Sequence, residues 1–136
     1  MTMTQHATDP TPAGDRAAGA PVDADALAAA ASLFHGFSDP SRLAILTHLA
    51  LGEHRVVDLV RHLGLAQSTV SQHLACLRDC GLVEVRTQGR ASMHRLSHPE
   101  ALLGVLESAE RLLGLTGSAV ALCPRYGVAT TAQVRP

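Results

Sequence analysis

The chain has 136 residues, 46% of them apolar, with a net charge of −1 and three cysteines. That length holds one domain with loose ends. No apolar run approaches bilayer length, the first residues carry no basic stretch leading into an apolar one, and three thiols cannot all pair. Neither a membrane protein nor a secreted disulfide scaffold is therefore expected, and a cytoplasmic location is.

Residues 1–22 are rich in Thr, Pro, Ala, Gly and Asp without an apolar period, and are expected to form a disordered arm. A first helix is predicted from about Asp23 to Phe37, with Leu27, Ala30, Ala31 and Phe34 at helical spacing. Asp39 is placed to cap a second helix that has Pro40 at its first position, where a missing N–H costs nothing. Leu43, Ile45, Leu46, Leu49 and Ala50 give that helix its apolar stripe up to Gly52. Val56, Val57, Leu59, Val60 and Leu63 make a short third helix ended by Gly64. A fourth runs from about Gln67 to Cys80, with Val70, Leu74 and Leu77 inward and Gly81 just past its end.

Val83 and Val85 then alternate with Glu84 and Arg86, and Met93 and Arg95 with His94 and Leu96. With Gly89 between them, these are two strands of a hairpin. Ser97 and Glu100 have capping-box spacing before a last helix that ends near Leu115, lined by Leu102, Leu103, Leu106, Ala109, Leu112 and Leu113. Residues 116–136 form a tail containing Cys123.

The order α-α-α-α-β-β-α gives the fold class: mainly α with a β-hairpin wing, a winged helix-turn-helix spanning residues 23–115. Phe34, Phe37 and Tyr126 are the chain's aromatics, so its core is small in volume and oligomerisation is the expected support. The first and last helices carry apolar faces wider than one small domain covers, which predicts a homodimer through those two helices. Such a dimer presents two reading helices to successive major grooves.

Charge agrees with a DNA partner. Residues 1–39 carry −4, residues 40–95 carry +3 and residues 96–136 carry 0. The positive surplus coincides with the helix-turn-helix and wing, as phosphate contact requires. Gln67, Ser68, Thr69, Ser71, Gln72 and His73 occupy the first two turns of the fourth helix, the part that enters the groove. Gln pairs with adenine in bidentate fashion, and Ser or Thr serve base or phosphate. Short polar residues also simply favour helix starts. Arg86, Arg90 and Arg95 are the wing's phosphate candidates. No Ser/His/Asp set, carboxylate pair or phosphate loop suggests an enzyme, and neither a membrane nor a protein partner is inferred.

Cys76 and Cys80 lie four residues apart, which puts both sulfurs on one helical face within reach of one ion. Cys80, just before the capping Gly81, also stands where a small buried filler is expected. The segments SDPSR (38–42), AQSTVSQHLACLRDCGLV (66–83) and QGR (88–90) resemble the ArsR/SmtB family of bacterial metal-responsive repressors, over about residues 24–115. The resemblance implies a dimeric repressor that leaves its operator when metal binds. Two of the family's metal sites find no match. Glu53-His54-Arg55-Val56-Val57-Asp58 has no cysteine pair, and the last helix lacks the paired Asp and His ligands. The LACLRDCGLV segment with a further tail cysteine is similar to cadmium- and lead-sensing members of that family. In them, two cysteines of the reading helix and one from the partner's tail hold the metal. Carried over, the ligands are Cys76, Cys80 and Cys123. Three thiolates favour soft Cd(II) or Pb(II) as effector; Zn(II) also binds thiolates but prefers a fourth ligand.

Two alternatives keep the DNA-binding fold. In one, thiol oxidation is the switch. In the other, the protein has no effector and its cysteines are incidental. The eight histidines are scattered, and most are read as surface or partly buried residues.

Overall fold

The computed structural model describes residues 19–124. Most of the arm expected at 1–22, and the end of the tail, lie outside them. The elements are α1 (Ala24–Gly36), α2 (Pro40–Leu49), α3 (Val56–Leu63), α4 (Gln67–Asp79), β1 (Val83–Gln88), β2 (Ala91–Leu96) and α5 (Pro99–Leu115). The chain divides between Ser32 and Leu33 into two units. In the first, the described residues are mostly those of α1. The second holds the last turn of α1 and every later element.

Local chemistry sets the boundaries in the second unit. Asp39 is the N-cap of α2, its carboxylate accepting the Arg42 N–H at 3.0 Å, and Pro40 follows it. Arg42 serves the other side of that joint, donating to the carbonyls of His35 (2.8 Å) and Gly36 (3.3 Å) at the end of α1. At the start of α3, Asp58 reaches back to accept the Arg55 N–H at 3.1 Å and also binds its guanidinium. Those hydrogen bonds hold the Asp58 carboxyl down at about 2.

Gly64 ends α3 in the left-handed region at φ 69°, and Gly81 follows α4 at φ 80°. After α4, Leu82 N–H bonds to Leu77 C=O and Gly81 N–H to Arg78 C=O, which closes a Schellman motif. This turn aims the chain out of the reading helix and into the wing.

Leucines and valines from each later element meet in one core. Ile45, Leu46, Leu59, Val70, Leu74, Leu77 and Leu106 are fully buried, with Leu49, Val83, Leu96 and Leu102 close behind. Val70, Leu74 and Leu77 face inward as their spacing predicted. Val57 does not, being 47% exposed on the outer side of α3.

The wing is a two-stranded antiparallel sheet with Val83 opposite Leu96 and Gln88 opposite Ala91. Val83 and Leu96, paired at its base, are buried; at the next non-adjacent pair His94 is 4% exposed and Val85 opposite it 40%. The capping box expected at Ser97 does not form. The N-cap of α5 is His98, followed by Pro99, and no side chain caps it. Ser97 N–H is drawn instead to the Leu82 carbonyl at 3.0 Å, closing the base of the hairpin, and Pro99 presets the helix one residue later than expected.

Candidate DNA-reading surface and metal centre

The helix-turn-helix is α3 and α4, joined at Gly64. Burial of Val70, Leu74 and Leu77 against the core turns the other face of α4 outward. Gln67, Ser68, Ser71 and Gln72 are exposed on that face, and Thr69 is half-buried. His73 is turned aside: its Nε2 stands 3.6 Å from the Asp39 carboxylate, and its side chain is 18% exposed. Asp39 thus caps α2 and faces the reading helix at once.

The wing arginines do not stand alike. Arg86 donates twice to Glu53, at 2.8 Å and 2.6 Å, and this fork holds the Glu53 carboxyl below its usual range. Arg95 donates to Glu84 at 2.6 Å and lies 3.8 Å from Glu53. Arg90, at the hairpin tip, is exposed and has no ion pair among the described residues. Of the sequence candidates, Arg90 presents its charge outward, Arg86 fastens the wing to the body through Glu53, and Arg95 chiefly ties β2 to β1 through Glu84.

The far end of α4 carries the thiols. Cys76 and Cys80 are both half-buried, and the Cys80 thiol is within hydrogen-bonding reach of the Cys76 thiol. Burial pushes the Cys80 thiol up, and the neighbouring sulfur adds to the push. Gly36 passes close above: a Cβ there would stand 3.1 Å from Leu82 Cδ1 and 3.5 Å from Cys80 Sγ. Cys123 is elsewhere. The carboxylate of Glu110 accepts its N–H at 2.7 Å and also that of Leu122, and its side chain packs at the edge of the core. Within one chain, the three sulfurs do not form a cluster among the described residues. The tail nevertheless has a packing role that its composition did not reveal.

Residues 39–85 match the model of the bacterial regulatory protein arsR family. The regulator NmtR of Mycobacterium tuberculosis is 40% identical over 101 residues, which cover 71% of this chain and 84% of that protein. The regulator CmtR of the same species is 44% identical over 80 residues, covering 57% of this chain and 68% of that one. The solution structure of a homodimeric winged helix-turn-helix domain, Mb0332 of Mycobacterium bovis, superposes with a TM-score of 0.60 at 29% identity, over 71% of this chain and 93% of that one.

The chain belongs to the ArsR family. It is a transcriptional repressor related to metal-responsive repressors, and operator DNA is the partner its winged fold implies. No described helix is long and apolar enough to cross a membrane. The matched segment runs from the Asp39 cap through the reading helix and both of its cysteines, and stops before Arg90 and Cys123.

This ArsR protein also holds a cluster that its sequence did not announce. His48, His54 and His62 bring one ring nitrogen each to within 4.8 Å of one another. His48 Nε2 lies 3.0 Å from His62 Nδ1, and the rings of His48 and His54 are centred 4.6 Å apart. His48 and His62 end α2 and α3, and His54 stands in the loop between them. No local period links the three, so only packing of the two helices reveals the group.

Proposed function

We propose that this repressor binds its operator as a metal-free homodimer and is released when Cd(II) or Pb(II) binds Cys76 and Cys80 of one protomer together with Cys123 of the other. The observation that carries this reading is the pairing of two thiols on the helix that also presents Gln67, Ser68, Ser71 and Gln72. A metal that draws Cys80 and Cys76 onto a third sulfur acts on the body that reads DNA, so the two ligands are coupled through one helix.

The dimer is supported by apolar side chains that one protomer leaves in water. Leu112 is 64% exposed and Leu115 is 85% exposed on α5, and Phe34 near the end of α1 is 59% exposed. Cys123 follows α5, so a two-fold axis through that helix carries each tail toward the partner.

Cys76→Ser tests the assignment. It is expected to bind operator as the wild type does and to stay bound in Cd(II). Release of Cys76→Ser by Cd(II) at the wild-type concentration would remove Cys76 from the switch.

A further inference from the structure

We infer that His48, His54 and His62 form a second metal site, distinct from the cysteines, for a divalent ion that prefers imidazole, such as Zn(II), Co(II) or Ni(II). This site shares no residue with the cysteines.

The donor set and its geometry carry the inference. Two Zn–N bonds of about 2.0–2.1 Å at a tetrahedral angle put their nitrogens roughly 3.4 Å apart. The three ring nitrogens already lie within 4.8 Å of one another, and one pair is at 3.0 Å. Small ring rotations close the rest of the gap. Three imidazoles leave a fourth position for water, and imidazole ligands suit Zn, Ni and Cu rather than Ca or Mg.

His54 is also braced as metal-bound histidines are. Its Nδ1 lies 2.8 Å from the Gly52 carbonyl, which makes Nδ1 the N–H and leaves the lone pair on Nε2. His48 Nε2 and His62 Nδ1 share one proton, and once the donor ring carries it on its other nitrogen both facing nitrogens offer lone pairs to an ion.

The site sits at a joint. An ion there ties the last turn of α2 to the last turn of α3 and to the loop between them. The loop's His54 is bonded through its backbone to His94 of β2, and Glu53 holds Arg86 of β1. An ion bound to the folded state alone therefore stabilises the helix-turn-helix and the root of the wing together.

Co(II) titrated into the full-length reduced Cys76→Ser protein is the test, since the cysteine site is then broken. Visible ligand-field bands without thiolate charge-transfer absorption are expected, and they are expected to vanish in Cys76→Ser/His62→Asn. His62 is exposed, and far-ultraviolet circular dichroism confirms that its variant stays folded. Zn(II) added to the wild type, followed by proton NMR of the histidine rings, gives a reading that needs no folded variant. His48, His54 and His62 are expected to shift together. Absent bands, bands that survive His62→Asn, or NMR shifts that spare these three rings would overturn the site.

Discussion

His54 and His94 exchange two backbone hydrogen bonds, at 3.0 Å and 2.8 Å, although forty residues separate them. The pair makes the loop before α3 a one-residue third strand of the wing. The His94 side chain is carried inward to 4% exposure, and its Nδ1 has no hydrogen-bond partner among the described residues. The wing is therefore rooted in the helix-turn-helix through groups that charge only at a cost.

Acid should loosen this root. Burial lowers the pKa of His94 and of His48 from the ordinary 6.5. The unfolded chain then binds protons that the folded chain refuses, so the stability these residues contribute is present above 6.5 and is lost as pH falls through their folded pKa values. Urea midpoints measured across that range should drop on acidification. The drop should be shallower in His94→Met.

Core and reading face of α4 should separate cleanly. Leu74→Ala removes a side chain that is 1% exposed and should cost about 2–5 kcal/mol of stability. Gln72→Ala, on the exposed face, should stay within about 0.5 kcal/mol of wild type in stability. It should weaken operator binding by about 1–3 kcal/mol if Gln72 meets a base. Chemical denaturation and fluorescence anisotropy on the two variants check both halves.

The wing arginines should split by role. Arg90→Ala should weaken DNA binding about uniformly across sequences and reduce the slope of log affinity against log salt by about one. Arg86→Ala leaves Glu53 only the longer contact to Arg95 and loosens the wing, so it should lower the melting temperature, which Arg90→Ala should not. Anisotropy at several salt concentrations beside thermal melts distinguishes the two.

Much of this was readable from the chain because it is local. Asp39-Pro40, Gly64 and Gly81 each act within a few residues, so the helix ends fell where the sequence put them. Leu74 and Leu77 were inward by period alone. The misses are non-local. Ser97 looked like a cap until Leu82 claimed its N–H. The fork between Arg86 and Glu53 joins residues 33 apart, so no local pattern could show it. Glu110 holds the Cys123 backbone from the middle of α5, across thirteen residues. The histidine cluster joins two helix ends and a loop, which no period of 3.6 or 2 could have grouped.

Dimerisation should depend on α5. Leu115→Glu places a charge on a side chain that is 85% exposed in the single protomer, so the folded monomer has no reason to object. In a dimer packed through α5 the same charge is buried, and dissociation should become at least about tenfold easier, a change of roughly 1.4 kcal/mol. Sedimentation velocity should show monomer where the wild type shows dimer, with circular dichroism unchanged.

The proposed switch is metal on the cysteines of α4 and the tail releasing DNA. Reduced, metal-free protein on operator DNA would be titrated with Cd(II), with release followed by anisotropy and thiolate binding by ultraviolet charge-transfer absorption, beside Cys123→Ser. The expected result is release in step with the thiolate band in the wild type, with both weakened in the variant. A full thiolate band with the operator still bound, or release by Cd(II) without any thiolate band, would rule the cysteine switch out.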